Sequence, residues 1–508
     1  MSLDKQYLLN ALLRHNYFPS HQKHRDELPP LLDSTSLSPT IARQLRDLPK
    51  VRRKPHSGYD AVEYRLTRFN NVPRVCSIPH PKAYSTLALR LATDWDKIAY
   101  ITDNPRSQII PRQHDDGRVM IMNYQDSAEQ IARSVRNSFG RQYIVKTDIS
   151  NCYPSIYSHA VPWAAVGIAE AKKHIGKRSK WYNKLDHAIT LTRRNETMGI
   201  AIGPATSAIV AEIILARVDL TLDDKFKYTR FMDDYTAFCL NREEAEEFLF
   251  SLSRELSKFQ LLLNVGKTAT VDTPSNSSEF WVSDLRKALP QQDSVTLHSA
   301  VDYLDFALDL SKRRPDGSVL KYALRSLVPR LVDSGATVDE RAIDLILDYS
   351  LNLCFHFSAL VTMLEQLFDI SAIVYNSFVH GDRLQQILLR FTRMRQSDAI
   401  SWCLYFCLKY RVAIPEECAS GIIKSGDCIP MVILYWSGNL KYRQMVIDFA
   451  NTIDRSDLYK LDQYWLLLYE VYRDDEITNP YGQEDRVFEV MKSAGISFTR
   501  PVADQLPP

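Results

Sequence analysis

The chain has few cysteines and lacks the closely spaced cysteine pairs that bind zinc. Eight cysteines occur in 508 residues, and no CxxC is present. This pattern excludes a disulfide-stabilised scaffold and a cysteine-rich zinc site. Cys403 and Cys407 are the closest pair, but they lie one helical turn apart in the apolar segment SWCLYFCLKY, with no histidine nearby. We therefore predict that the cysteines are buried free thiols.

Long apolar runs and net charge are also scarce. The longest apolar run, residues 429–436, is far shorter than the ~20 residues needed to cross a bilayer. The first residues, MSLDKQYLLNALLRH, have an early acid and no uninterrupted apolar core, unlike an export signal. With 63 basic and 61 acidic residues, no overall field attracts a polyanion. We expect a soluble, unexported, cytoplasmic protein with no membrane partner.

The composition that is present, 45% hydrophobic and 24% charged residues, supports a packed core and two or three domains. Residues 1–60 are rich in Pro, Ser and His and predict an irregular N-terminal extension. Residues 61–285 alternate strand and helix patterns, which predicts an α+β domain. Residues 286–508 repeat apolar stripes at helical spacing, which predicts an all-α domain built as a bundle or a stack of helix pairs.

Two local patterns illustrate these assignments. Within the N-terminal extension, a compact basic cluster is either a solvated surface or a phosphate-binding site; its residues are Lys50, Arg52, Arg53 and Lys54. In the helical half, one apolar stripe consists of Leu458, Leu461, Trp465, Leu468 and Tyr472. Its spacings of three and four predict a single amphipathic helix. Such stripes are typical of a core, so we assign no chemistry to this half.

Acidic residues lie at the ends of predicted strands. Residues 143–147 alternate in strand fashion before Asp148, and two extended runs are joined by a tight turn that contains Asp233 and Asp234. A single Asp-Asp turn is weak evidence, because aspartate is common in turns. Carboxylates at the ends of adjacent antiparallel strands, however, converge and repel one another unless a divalent cation compensates them. Hard oxygen ligands select Mg²⁺ or Mn²⁺, and two such ions support an in-line displacement.

Four motifs in this region resemble those of reverse transcriptases. YIVKTDISNCYPSIY is similar to motif A, MGIAIGPATS to motif B, YTRFMDDYTAF to motif C and LLLNVGKT to motif D, in the family's order and spacing between about residues 60 and 275. The segment TRFNNVPRVCSIPHPKAY, the YFP and ELPP runs and the form of motif B most resemble the bacterial abortive-infection reverse transcriptases, in particular the type found in P2-like prophages.

This resemblance implies a right-hand-like fingers and palm domain at 61–285, followed by a helical, HEAT-like domain at 286–508 in place of a thumb. Asp148 and Asp233 would be the main ligands of two Mg²⁺ or Mn²⁺ ions, with Asp234 beside them. Lys267 would lie near the leaving pyrophosphate. The remaining nucleotide-binding positions would be Arg68 and Arg74 at the triphosphate, Tyr153 as the gate against a 2′ hydroxyl, and Gly203 in motif B. Ordinary surface ion pairing is the alternative for the two arginines.

The resemblance also implies a function in defence against phage. An abortive-infection polymerase would add dNTPs without a template, prime from its own hydroxyl and keep its single-stranded DNA product covalently attached. One alternative is a templated, RNA-directed DNA polymerase of the retron type, and another is a catalytically degenerate binding scaffold. Ala201, Ile202 and Gly203 replace the Pro-Gln-Gly of template-copying enzymes, and no primer-grip motif follows Lys267, which disfavours the retron type. The retained acids disfavour the scaffold.

The priming hydroxyl should lie on a segment that can reach the metal site. Tyr7 and Tyr17 are the tyrosines of the N-terminal extension, and Tyr7 is the better candidate because it lies nearer the terminus. The alternative is that Tyr7 belongs to the apolar face of a short helix. Family resemblance further implies a closed homo-oligomer, a trimer or a hexamer.

Overall fold

The computed structural model describes residues 3–20, 27–49, 57–68, 72–122, 127–222, 224–275, 280–291, 295–313, 318–332, 340–370 and 379–501. The basic cluster at residues 50–54 lies outside this part of the chain. Within it, no helix combines the length and the apolar character needed to cross a membrane. All eight cysteines are buried and free, so the prediction of buried thiols is confirmed.

The strands of the described residues form two antiparallel sheets. Their bounds are β1 Ala61–Leu66, β2 Arg74–Pro79, β3 Tyr143–Asp148, β4 Tyr228–Phe231, β5 Asp234–Cys239 and β6 Ala269–Asp272. Strands β1 and β2 form a hairpin, and the other four form one sheet in the order β4-β5-β3-β6. The central position of β3 in this sheet places its acidic end beside β5.

Eleven helices surround these sheets in the first half of the described chain. Their bounds are α1 Lys5–Arg14, α2 Pro39–Asp47, α3 Pro81–Thr93, α4 Trp95–Ile98, α5 Ser127–Ser138, α6 Cys152–Ser155, α7 Ala160–Val166, α8 Ile168–Lys173, α9 Trp181–Leu191, α10 Ala205–Thr221 and α11 Arg242–Ser257. Helix α10 is apolar on nearly every side and buried for most of its length, as expected for a helix in the middle of a core.

The remaining described helices follow the four-stranded sheet. They are α12 Phe280–Ala288, α13 Leu297–Arg313, α14 Ser318–Val332, α15 Glu340–His356, α16 Leu364–Ile370, α17 Val379–Met394, α18 Ser397–Lys409, α19 Glu416–Ser425, α20 Cys428–Tyr435, α21 Leu440–Thr452, α22 Leu458–Gln463, α23 Trp465–Arg473 and α24 Val487–Ser493. Short 3₁₀ helices occur at Ala99–Thr102, Val265–Lys267 and Ser358–Met363. The fold is therefore an α+β part followed by helices, as the sequence predicted.

The described part of the N-terminal extension contains helices α1 and α2, so the expectation of an irregular segment was wrong there. Helix α1 begins after Asp4, whose side chain accepts a hydrogen bond from the backbone N–H of Tyr7. Leucines at helical spacing, Leu8 and Leu12 among them, are completely buried. Capping and a continuous apolar face stabilise even a short helix once it packs against a core, and α1 packs against α3. The Pro-rich composition of the flanking residues concealed this helix.

The helices from α13 onward, here called the helical region, pack as a stack of pairs. Contacts run from α13 to α15, from α15 to α17, from α17 to α19 and from α19 to α21, with further helices packed between these rows. One predicted helix is divided in two: the stripe at residues 458–472 forms α22 and α23. Tyr464 lies between them outside helical geometry, and its hydroxyl donates to the carbonyl of Gly426 at 2.8 Å. Apolar spacing alone does not reveal a one-residue interruption.

The helical region packs back against the β1–β2 hairpin. Asp398 accepts hydrogen bonds from the backbone N–H and the hydroxyl of Thr67, each at 2.7 Å. At the other end of the hairpin, the indole N–H of Trp465 donates to the carbonyl of Ile78 at 3.0 Å. The segment after α24 also pairs with the N-terminal extension, through a bridge between Leu32 and Thr499. The last helices therefore support the hairpin.

Candidate active site

Two strands of the four-stranded sheet have acidic residues at neighbouring ends. Asp148 is the last residue of β3, Asp234 is the first of β5, and the two are directly opposite each other in the antiparallel register. The backbone N–H of Ile149 donates to the carbonyl of Asp233 at 3.3 Å. Asp148 is buried and Asp234 is exposed. The structure thus brings the three predicted acids together at one end of the sheet, and we call them the carboxylate cluster.

A two-residue turn presents Asp233. Phe231 pairs with Asp234, so only Met232 and Asp233 connect β4 to β5. Met232 has a φ of 55°, a left-handed conformation that residues other than glycine rarely adopt. The predicted tight turn is therefore present, and it has a strained residue immediately before Asp233.

The negative charges of the carboxylate cluster repel one another. Burial, with Asp148 as the next cause, raises the pKa of Asp233 to about 6 and also raises the pKa of Asp234. Among the described residues, neither Asp233 nor Asp234 forms a salt bridge. Neighbouring carboxylates that disfavour each other's charge are stabilised by a bound cation, and carboxylate oxygens suit Mg²⁺ and Mn²⁺. The donor set therefore fits the predicted divalent metal site.

Lys267 contacts the cluster from the loop before β6. Its Nζ lies 2.5 Å from Oδ2 of Asp148, and this hydrogen bond raises the pKa of the lysine. The backbone N–H of Asn264 donates to the carbonyl of Asp148 at 2.7 Å, which attaches the loop to β3. The lysine side chain is 65% exposed. It is therefore a protonated, accessible cation at the edge of the cluster.

Tyr153 lies five residues after Asp148, in the short helix α6. Burial raises the pKa of Tyr153, Asp233 adds to this rise, and Arg74 opposes it. These influences place the phenol within electrostatic range of both Asp233 and Arg74. Its hydroxyl is buried and has no hydrogen-bond partner among the described residues. The side chain is thus fixed by packing beside the cluster, where a nucleotide sugar could meet it.

Gly203 lies in the segment that precedes α10, where the absence of a side chain allows the backbone to pack closely against its neighbours. It has a φ of 126°, and a Cβ there would lie 2.8 Å from Cγ of Pro19. The adjacent carbonyl of Ile202 accepts a hydrogen bond from the backbone N–H of Ser77 at 2.7 Å, and the N–H of Ile200 donates to the carbonyl of Tyr153 at 3.0 Å. This segment therefore joins β2, α6 and the N-terminal extension.

Arg68 and Arg74 lie close together on the hairpin. Arg74 opens β2 opposite Leu66, and both arginines are exposed. Burial lowers the pKa of Arg68, and the charge of Arg74 lowers it further. Within the described residues neither forms a salt bridge, whereas Arg65 nearby pairs with Glu63 at 2.7 Å. The described residues therefore do not show the ordinary surface ion pairing that was the alternative for these arginines, and their binding of a triphosphate stays a prediction.

Residues 96–302 match the model of one protein family, described as reverse transcriptase (RNA-dependent DNA polymerase). The match includes the carboxylate cluster, Lys267, Tyr153 and Gly203, and it begins after Arg74. The chain contains a reverse transcriptase domain. The matched family is one of nucleotidyltransferases, and the two arginines belong to the hairpin that precedes the matched segment.

Solved telomerase structures share a limited likeness with parts of the chain. Apo telomerase from Candida tropicalis, truncated from its C-terminal domain, is 15% identical over 45% of this chain and 52% of its own, with a TM-score of 0.32. A second structure of apo telomerase from the same organism is 12% identical over 81% of this chain and 70% of its own, with a TM-score of 0.33. The chain thus spans about half of the first structure. A comparison with curated proteins finds no match.

The two priming candidates lie away from the cluster of the reverse transcriptase domain. Tyr17 is completely buried, stacks on Tyr84 at 3.9 Å and donates its hydroxyl to the carbonyl of Pro79. The hydroxyl of Tyr7 donates to the carbonyl of Arg118 at 2.8 Å, and burial raises its pKa. Among the described residues, neither tyrosine forms a hydrogen bond or ring contact with the carboxylate cluster. Tyr7 lies on α1, as the alternative interpretation had it.

A second group of possible metal ligands, not singled out in the sequence, lies in the helical region. One ligand atom each of Asp344, Asp348 and His380 lies within 4.8 Å of the others. The guanidinium of Arg383 contacts Asp348, and Nε2 of His380 lies 3.2 Å from Asp344. Arg383 therefore compensates Asp348, and burial lowers the pKa of His380. In the carboxylate cluster, Lys267 pairs with Asp148 alone among the described residues.

Two residues that shape the site were missed in the sequence. Arg230 is completely buried in β4, on the same face as Tyr228 and Met232. A charge on the buried face of a strand requires buried partners, so this alternation was an available signal. Asp398 binds Thr67, the residue before Arg68. Because 331 positions separate the two, no local pattern could have revealed that contact.

Proposed function

We propose that this protein is a divalent-metal-dependent DNA polymerase that extends a 3′ hydroxyl with deoxynucleotides. The observation behind the proposal is the carboxylate cluster, in which Asp148 and Asp234 are cross-strand partners and Asp233 precedes Asp234 in a two-residue turn. Asp148 and Asp233 would bind two Mg²⁺ ions, with Asp234 beside them. When bound, such ions stabilise charge on the attacking and leaving oxygens of an in-line displacement.

The surrounding side chains have separate tasks in this reaction. Arg68 and Arg74 bind the triphosphate through charge-assisted hydrogen bonds. The 3′ oxygen of the primer attacks the α-phosphorus, a new P–O bond forms, and the bond to the bridging oxygen breaks to release pyrophosphate. Lys267, protonated and beside Asp148, neutralises the leaving pyrophosphate. Tyr153 packs against the sugar and excludes a 2′ hydroxyl, which selects dNTPs.

Synthesis without a template is the second part of the proposal. Ala201, Ile202 and Gly203 stand where template-copying reverse transcriptases have Pro-Gln-Gly, so the amide that helps to hold nucleotide and template is missing. The helical region also packs on the β1–β2 hairpin, through Asp398 and Trp465. This packing supports a role other than that of a thumb closing on a duplex. A templated polymerase of the retron type remains the competing proposal.

Priming from the protein's own hydroxyl and a cytoplasmic role in phage defence complete the proposal, and both are based on the abortive-infection resemblance. The product would be single-stranded DNA attached to a homo-oligomeric enzyme, a trimer or a hexamer. Tyr7 is the better priming candidate, since Tyr17 is completely buried among aromatic rings. Before its hydroxyl can prime synthesis, Tyr7 must break its hydrogen bond to the carbonyl of Arg118. Peptide mapping after nuclease digestion should find the nucleotide adduct on Tyr7, and a Tyr7→Phe protein should remain unlabelled.

A single labelling experiment separates the competing functions. Purified protein is incubated with Mg²⁺ and labelled dNTPs, with no nucleic acid added, and is then denatured. Nuclease-sensitive label that stays with the denatured protein supports self-primed, untemplated synthesis. Label that appears only when a structured RNA is supplied supports the retron-type alternative. No label under either condition supports the scaffold, provided that the Asp233→Asn control behaves identically.

A further inference from the structure

A buried arginine lies directly beneath the turn that presents Asp233. The guanidinium of Arg230 is completely buried. Its two terminal nitrogens donate to both carboxylate oxygens of Glu212, at 2.7 and 2.9 Å, and its Nε donates to Asp219 at 2.8 Å. Glu212 and Asp219 both belong to α10, so the arginine joins β4 to the central helix.

The same guanidinium also contacts the turn. Nη1 of Arg230 donates to the backbone carbonyl of Met232 at 2.9 Å. Met232 is the residue with a left-handed φ of 55°, a conformation that costs roughly 1–3 kcal/mol outside glycine and persists only where surrounding contacts enforce it. The hydrogen bond from Arg230 is such a contact. It fixes the peptide between Met232 and Asp233.

The arginine is itself held in place by its neighbours. Its backbone N–H donates to the carbonyl of Arg106, and its carbonyl accepts from the N–H of Gln108, each at 2.7 Å. Asp219 additionally accepts hydrogen bonds from Asn104 at 2.7 Å and from the hydroxyl of Tyr228 at 3.1 Å. A fully hydrogen-bonded buried network is rigid. The guanidinium that donates to the turn is therefore held in a fixed position.

A buried ion pair is often no more stabilising than apolar residues of similar volume, so stability does not explain this network. We propose that Arg230 is a positioning residue, which holds the Met232 carbonyl and thereby sets the place of the Asp233 carboxylate for divalent metal binding. This inference rests on the proposed metal site. Mg²⁺ tolerates little departure from octahedral geometry, so a displaced Asp233 binds it poorly.

The test measures Mn²⁺ binding by electron paramagnetic resonance, which requires no catalysis. Arg230→Lys keeps the positive charge. An ammonium, however, lacks the planar set of N–H donors with which the guanidinium binds two carboxylates and a carbonyl at once. We expect Mn²⁺ affinity to fall about 10- to 100-fold, as for other residues that orient metal ligands. The Mn²⁺ binding that is lost in Asp233→Asn is the binding that belongs to the carboxylate cluster.

A matched control separates positioning from general stability. Tyr228→Phe removes the hydrogen bonds that the hydroxyl makes with Asp219 and Arg106 without touching the turn. It should lower the melting temperature slightly and leave the cluster's Mn²⁺ affinity within about twofold of wild type, since it leaves the orienting contact intact. A shift in affinity as large as that of Arg230→Lys would mean that any damage to the network has this effect, and would overturn the proposal.

If Arg230→Lys does not fold, the double variant Arg230→Lys with Glu212→Gln leaves one buried cation facing one buried acid, Asp219, and should show the same loss of affinity. Wild-type affinity in either folded variant would overturn the proposal, as would loss of the fold in both, since the network would then be a stability element. Wild-type protein that binds Mn²⁺ but incorporates no nucleotide would refute the polymerase function instead. Mn²⁺ affinity in Arg230→Lys would still decide the positioning role.

Discussion

Buried acids are compensated differently in the helical region and in the carboxylate cluster. Glu470 is completely buried, and it is contacted by Arg473 at 3.0 Å, the indole N–H of Trp436 at 3.2 Å and the hydroxyl of Thr499 at 3.0 Å. Asp233 lies beside another acid, which contributes to its raised pKa of about 6. The first arrangement satisfies the buried acid within the fold. The second becomes favourable only when a cation binds, and this difference separates a structural acid from a functional one.

The comparison predicts that losing one acid of the cluster abolishes activity but not folding. Asp233→Asn should reduce nucleotide addition by more than the about 10- to 100-fold typical of lost ligand-orienting residues, because it removes a proposed ligand itself. Thermal stability should be unchanged or slightly higher, since repulsion with Asp148 is relieved. Primer-free dNTP labelling and a thermal melt measure the two effects. Asp272→Asn, at an exposed position of β6, is the control and should leave both unchanged.

Glu470→Gln should show the opposite behaviour. Removing one partner of a buried ion pair costs about 3–5 kcal/mol, because Arg473 loses its charged partner and an NH2 donor replaces one of the two acceptor oxygens. Chemical denaturation should record this loss in the free energy of unfolding, while activity per folded molecule stays at the wild-type level. Lost activity with an unchanged free energy of unfolding would remove the distinction between the two regions.

Tyr153 tests whether packing beside the cluster determines sugar selectivity. Tyr153→Val leaves room for a 2′ hydroxyl and should reduce the preference for dNTP over rNTP by about 10- to 100-fold, the range that steric fit in a pocket supplies. Competition between the two nucleotide types measures the ratio. Tyr143→Val, at the other end of β3, should not alter it. Unchanged selectivity in Tyr153→Val would mean that the ring only fills space.

The smallest expected effect concerns the contact between the helical region and the hairpin. Thr67→Val removes the hydroxyl that donates to Asp398 next to Arg68, and should raise the KM for dNTP roughly fivefold, about 1 kcal/mol, with little change in kcat. Steady-state kinetics measure both constants. Thr93→Val, which removes a hydroxyl bonded within α3, is the control. A change in kcat alone would indicate that the helical region does not act through nucleotide binding.

The sequence was informative wherever one strand or helix determined the outcome. Alternation at residues 143–147 predicted β3, and the two runs around the Met-Asp-Asp turn predicted β4 and β5. Because antiparallel pairing then fixes which residues meet, the convergence of Asp148 and Asp233 could also be predicted.

Features that depend on distant parts of the chain could not be predicted in this way. Helix α1 has an apolar face that becomes recognisable once α3 covers it. The bond between Asp398 and Thr67 joins residues whose neighbours show no common pattern. The alternation in β4 marks Arg230 as a buried charge, but it does not identify the partners of Arg230, Glu212 and Asp219, which belong to another element.

Anomalous diffraction from crystals soaked in Mn²⁺ and a dNTP tests the central claim most directly. Lys267 is the one cation paired with the carboxylate cluster among the described residues, and it contacts Asp148 alone, so the strongest peaks should lie within coordination distance of Asp148 and Asp233. Asp233→Asn crystals should lose them. Peaks at Asp344, Asp348 and His380 with none at the cluster, or a soaked crystal without Mn²⁺ peaks at either place, would contradict the account.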